Sequence, residues 1–259
     1  TFKAFSQQWL ELYESSGTVK VSTVRIRKYF IDVWTEYFSA LKLRDITLKR
    51  YQTVLLELKK KGFADRTINQ AHATARMVFR KAVELGQIKK DPTEFAVIPR
   101  ERATVEDLES QKEIPKYLER DELVRFLETA RTHGFHLDYP IFLTLAYTGM
   151  RVGELVALKW PDIDFNEQTI SITKTLYNPY CHGAEYKLLI PKTSSSVRKI
   201  DIDDTVIAEL KKLRAVQNEV RMKYRDRYHD ENFVFAKLIG PDFIGYPENT
   251  RNVRRRMRR

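Results

Sequence analysis

TGMRVGEL, Thr148–Leu155, interrupts the otherwise apolar run IFLTLAYTGMRVGELVALKW, Ile141–Trp160. Gly149 predicts the end of one buried helix. VGELVALKW predicts a second helix, closed off by Pro161. Arg151 stands between them, and a lone guanidinium in a buried setting is costly unless it meets an anion. Glu154, three residues on, is the obvious internal partner. The alternative is an anion from outside the chain, and the surrounding sequence has to decide between the two.

On the C-terminal side of this stretch, DIDFNEQ supplies turn residues. TISITKT (169–175) then alternates as a strand, and EYKLLIP (185–191) and VRKIDID (197–203) read as two more, the last pair joined by KTSSS. A helix follows over 204–224, then a short apolar element, NFVFA. The final RNVRRRMRR holds six arginines, and the four-residue spacing of Val253 and Met257 predicts that a helix starts there. On the N-terminal side, YLERDELVRFLETA (117–130) predicts a helix with Glu119 or Asp121 in its first turn. Helices with one small three-stranded antiparallel sheet make a mixed α+β domain.

The first hundred residues differ in kind. Four amphipathic segments read as helices: 2–15, one capped by Ser22 or Thr23, one capped by Thr47 and ending at Gly62, and one from Asp65 or Thr67 to Gly86. Short connections make them a helical bundle. Residues 101–116 lie in a stretch with three prolines and an acidic centre, which predicts a linker. The chain therefore divides into a helical domain (1–100), a linker (101–116) and an α+β domain (117–259), mainly α overall.

Composition narrows the function. The 259 residues carry a net charge of +11, with 19 basic against 10 acidic side chains in residues 1–100. A basic bundle and a basic tail suggest a polyanion, with nucleic acid the commonest for an intracellular protein. Arg25, Arg27, Lys28, Arg66, Arg76, Arg80 and Lys81 lie between the apolar positions of the bundle, where they can track phosphates; a solvated helix face is the plain alternative for each one. The single cysteine, Cys181, excludes an intrachain disulfide and fits a reducing compartment. The five histidines show no paired metal spacing, so no metal is expected. No apolar run reaches the length of a membrane span, and the first residues are not a signal peptide.

TGMRVGEL, then LKWPDIDFNEQTISIT (158–173), then PKTSSSVRKIDI (191–202), in that order and spacing, resembles the tyrosine recombinases, also called the phage integrase family. The long connection LYNPYCHGAEYK (176–187) and the hairpin after it look most like integrases of conjugative transposons and Gram-positive phages. The resemblance runs over residues 117–258, and the basic bundle is similar to the family's core-binding (SAM-like) domain. It implies site-specific recombination of a mobile element in the bacterial cytoplasm. The implied chemistry is type IB topoisomerase-like: DNA is cut and rejoined through a 3′-phosphotyrosyl link, with no cofactor. The implied partner is double-stranded DNA at att-type or transposon-end sites, bound by a dimer to tetramer of the protein.

Residue by residue, the resemblance gives Arg151 the place of a catalytic arginine and Glu154 a supporting one. Lys192 takes the place of the general acid toward the 5′-oxygen. Lys174, Thr193, Arg198, Arg254 and Arg255 are expected at the DNA backbone. The sequence also departs from the family. The His-x-x-Arg box and nucleophilic tyrosine are expected after the RRRMRR helix, and no histidine here has an arginine three residues later. The expectation is therefore a fragment that binds DNA without cleaving it, from a parent that also carries an arm-binding domain before Thr1. The competing expectation is a non-catalytic DNA-binding protein that retains the scaffold. A plain helical interaction module explains neither the TGMRVGEL nor the KTSSSVRK stretch.

Overall fold

Tryptophan 34 organises the first unit. It lies on the second of four helices: α1 (Phe2–Ser15), α2 (Val21–Phe38), α3 (Leu48–Lys60) and α4 (Asp65–Glu84). Its indole is fully buried, stacks on Tyr51 of α3 at 4.7 Å, and donates its Nε1–H to the Ala71 carbonyl of α4 at 2.8 Å. Large aromatics carry much apolar area but need a partner for any polar atom they bury. Tyr51 follows the same rule, sharing a 2.9 Å hydrogen bond with His72. Burial, with the nearby Arg76 charge, holds the His72 pKa below its ordinary value and keeps the ring neutral. Phe2 brings α1 onto this core through Phe38 and Phe79. The Thr47 hydroxyl caps α3 as expected, while α2 begins at Val21, slightly before the expected caps.

The computed structural model describes residues 1–100, 117–191, 193–240 and 242–258, and the chain divides into two compact units, Thr1–Glu113 and Ile114–Arg259. The expected linker, 101–116, lies outside the described residues.

In the second unit, α5 (Arg120–His133) starts at Glu119, whose backbone N–H donates to the Glu122 carboxylate. α6 (Asp138–Thr148) buries Ile141, Phe142 and Leu143. α7 is a single turn, Val152–Leu155. The expected helix through Trp160 does not form. The helix stops at Leu155, and the backbone from Leu158 to Trp160 is hydrogen-bonded instead to 232–234. A 3₁₀ turn at Trp160–Asp162 leads into the strands.

The three-stranded antiparallel sheet is present, with a different third member. Its order is β1 (Ile163–Asp164), β2 (Thr169–Ile172), β5 (Arg198–Asp201). The EYKLLIP segment supplies β4 (Lys187–Leu189), which pairs with β3 (Thr175–Tyr177) in a separate two-stranded sheet. The chain leaves the β2 ladder at Thr173–Lys174, where the Lys174 ammonium is gripped by both Asp162 oxygens at 2.6 Å. That ion pair sits at the break between the two sheets. α8 (Asp204–Tyr224) and α9 (Thr250–Arg256) complete the unit. One buried amide, Gln217 of α8, accepts from Trp160 Nε1 and donates to Tyr228 Oη and the Phe233 carbonyl, so nothing polar there is left unpaired. Among the described residues, no helix is long and apolar enough to cross a membrane.

Trp34→Ala removes both the stacked ring and its hydrogen bond, and should destabilise the protein by about 3–5 kcal/mol. Urea unfolding checks this; a change under about 1 kcal/mol would mean that the bundle is organised elsewhere.

Candidate functional site

The eight residues TGMRVGEL make a corner, and each has a reason to be where it is. Gly149 ends α6 with φ +60°, the left-handed region that a side chain disfavours. Met150 then plugs the core and Arg151, in extended conformation, turns outward ahead of α7. Gly153 has a packing reason: a Cβ there would sit 2.7 Å from Thr175 Oγ1 of β3. Glu154 follows, only 3% exposed.

Glu154 is the centre of the site. Its Oε1 accepts from Arg151 Nη1 at 2.8 Å, and its Oε2 accepts the Arg151 backbone N–H at 3.1 Å. A second guanidinium, Arg198 Nη2 of β5, donates to Oε2 at 3.0 Å. Burial alone would raise the pKa of this carboxyl. The hydrogen bonds from Arg151 and Arg198 outweigh burial and hold it below the ordinary glutamate value. The carboxylate is therefore ionised, and one negative charge serves two positive ones. The Arg151 side chain remains 70% exposed, so its remaining donors face outward. A planar fork that keeps its charge at any working pH is suited to binding two oxygens of an anion.

Both partners that the sequence offered Arg151 are thus compatible with one geometry. Glu154 holds the guanidinium and leaves much of it open. Arg198, expected at the DNA backbone, is 31% exposed and held by Glu154 and by the Ser196 carbonyl at 3.1 Å. Sequence reasoning missed this ion pair because 44 residues separate its members and no local spacing signals it. Thr193 Oγ1 is hydrogen-bonded to the hydroxyls of Ser195 and Ser196 at 2.9 Å, closing the turn on itself. Lys192 lies outside the described residues. Lys174 is engaged by Asp162, as above.

The remaining basic candidates fall into two groups. On the bundle, Arg25, Lys28, Arg66 and Arg80 are exposed. Arg27 and Arg76 are half-buried: Arg27 Nη1 donates to Thr74 at 2.8 Å, and the Nε of each is buried without a hydrogen-bond partner among the described residues. Lys81 pairs with Glu84 at 2.7 Å. On α9, Arg254 and Arg255 are exposed while Val253 is buried. Met257, expected on the same face as Val253, is exposed. The inward place is taken by Arg256, which bridges Asp138 at 3.3 Å and Glu248 at 3.1 Å beneath the Phe135 ring. Among the described residues, no group of three or more His, Cys, Asp or Glu is placed to hold a metal.

Comparison with known proteins gives this geometry a context. The family model described as "Phage integrase family" matches residues 116–259. The chain is 26% identical over 261 residues to the integrase of Staphylococcus phage L54a, covering 97% of this chain and 73% of that protein. It is 23% identical over 231 residues to the transposase from transposon Tn916 of Enterococcus faecalis, covering 88% of this chain and 55% of that protein. Among solved structures, a Tn1549 transposon integrase in complex with transposon right end DNA matches with a TM-score of 0.68 at 23% identity, covering 95% of this chain and 73% of that one. This last likeness is one of fold. The chain spans between about half and three quarters of the length of these relatives.

Replacing Glu154 by Ala should cost about 1.5–3 kcal/mol, since two charge-assisted hydrogen-bonding partners lose their acceptor. Its lowered pKa sets the pH window. The stability it contributes is fully present above the unfolded glutamate pKa, about 4.3, and is lost as the pH falls through the lower folded value. Thermal melts across that range should show the wild type losing more stability than Glu154→Ala; parallel curves would contradict the ionised assignment.

Proposed function

This chain belongs to the phage integrase family, and on that premise we propose that it is part of a site-specific DNA recombinase of a mobile genetic element. The observation that carries the reading is the Arg151 guanidinium, fixed on a buried carboxylate and largely open to solvent. The substrate is double-stranded DNA, with att-type or transposon-end sites as the targets, and the working form on DNA is a dimer to tetramer. The bundle's exposed Arg25, Lys28, Arg66 and Arg80, with Arg254 and Arg255 of α9, supply backbone contacts. The setting is the bacterial cytoplasm.

In this reaction a tyrosine oxygen attacks the scissile phosphorus and the bond to the 5′-oxygen breaks. The products are a 3′-phosphotyrosyl link and a 5′-hydroxyl; attack by a 5′-hydroxyl on that link reverses the step. The phosphotyrosyl bond keeps the energy of the broken phosphodiester, so no nucleotide is consumed. Negative charge grows on the non-bridging oxygens in the pentavalent state. Arg151, already aimed by Glu154, meets that charge without reorganising, which is where fixed donors contribute most. Lys192 is assigned the proton for the departing 5′-oxygen. Arg27, Arg76, Lys81, Lys174 and Thr193 are kept as further backbone contacts, with Arg27, Lys81, Lys174 and Thr193 also serving the internal contacts described above.

Two measurements test this reading. Duplex binding by the chain should weaken by roughly a thousandfold between about 50 and 200 mM salt, as expected when several phosphates release counterions; binding indifferent to salt would sink the phosphate-tracking picture. The full-length protein should form a covalent complex on nicked suicide DNA, and Arg151→Ala should reduce its rate by about a hundredfold or more with duplex affinity little changed. A full-length protein that binds DNA and never forms the complex would favour a non-catalytic DNA-binding protein on the same scaffold.

A further inference from the structure

Strand β5 alternates half-buried and exposed residues: Arg198 and Ile200 point inward, Lys199 and Asp201 outward. A charge on the inner side of a strand is unusual, and its surroundings explain it. Arg198 Nη2 holds Glu154 Oε2, while its Nη1 holds the Ser196 carbonyl at the end of the 193–196 turn. Within that turn, Ser196 N–H donates to the Thr193 carbonyl at 3.0 Å and the two side-chain hydroxyls are hydrogen-bonded at 2.9 Å. One guanidinium thus ties the carboxylate that aims Arg151 to the 193–196 turn.

We propose that Arg198 is a positioning residue of the phosphate site, holding Glu154 and the 193–196 turn in one register so that Glu154 keeps Arg151 aimed outward. The proposal rests on the reading of Arg151 as the phosphate-binding arginine. Arg198 does not itself meet the substrate; it acts through Glu154 and through the turn. Glu154 is faced by Arg151 from its own turn and by Arg198 from β5. Without Arg198 it keeps its burial and loses one of the two guanidiniums that keep it ionised. Protonation of Glu154 then releases Arg151, so the loss should be greatest at acid pH.

The test is the rate of covalent-complex formation by the full-length protein on nicked DNA, measured against pH, for the wild type, Arg198→Ala, Arg198→Lys and Arg151→Ala. The expected result for Arg198→Ala is a loss of roughly tenfold near pH 5 that shrinks to a few-fold near pH 8, with duplex affinity unchanged. Arg198→Lys, which keeps the charge and one donor, should recover part of the acid-side rate. If Arg198→Ala is reduced equally at every pH together with its melting temperature, the residue is structural and the proposal is overturned. Wild-type rates throughout would overturn it as well. Should Arg198→Ala not fold, the Lys variant decides: its acid limb must move toward higher pH relative to wild type, and an unmoved limb overturns the proposal. Arg151→Ala separates this from the underlying reading. If that variant cleaves normally the phosphate assignment itself fails, whereas its inactivity beside a fully active Arg198→Ala removes only the role given to Arg198.

Discussion

A carboxylate at 3% exposure, ionised and shared between two guanidiniums, is the interaction on which the second unit's site depends. Burying a charge is expensive, and it is tolerated here because every strong donor around it is itself charged or part of the backbone. The arrangement is asymmetric in a useful way. Glu154 gives up its solvent entirely, Arg198 partly, and Arg151 hardly at all. The desolvation cost falls on the two more buried groups, and the group left in water is the one with donors to spare.

The fold serves this asymmetry. Gly149 lets α6 stop abruptly, Met150 anchors the corner in the core, and Gly153 lets β3 approach a one-turn helix closely enough to bury Glu154 beside the sheet. β5 delivers the second arginine across the β2 ladder, with Arg198 opposite Ile172. Farther on, Arg256 repeats the logic with the charges reversed, one half-buried guanidinium between Asp138 and Glu248. That pairing orients α9 so that Arg254 and Arg255 stay at the surface.

Much of this was legible in the sequence, for identifiable reasons. α1, α3 and α4 follow from strong 3.6-residue periodicity with glycine stops, and the Arg151–Glu154 pair follows from a three-residue spacing. What was not legible depended on partners distant in sequence. VALKW carries a helical pattern, yet its backbone is drawn to 232–234, a preference that no local window contains. EYKLLIP reads as a strand and is one, but it pairs with β3, beyond the break at Lys174, and not with the sheet that holds β2 and β5. Arg198 looked like one more basic residue beside the sheet because its carboxylate lies 44 positions earlier. The spacing put Met257 on one helix face with Val253, yet Arg256 took the inward place through two acids that periodicity cannot weigh.

The central claim is that Arg151 neutralises charge on a DNA phosphate, and it can be tested by changing the phosphate instead of the protein. A methylphosphonate at the scissile position replaces one charged oxygen by a neutral methyl group, so it removes the charge that Arg151 is assigned to meet. Full-length Arg151→Ala, slowed by about a hundredfold or more on ordinary DNA, is predicted to recover covalent-complex formation on that substrate. A variant that stays as slow on the neutral phosphate, with the wild type still reacting, would contradict the claim.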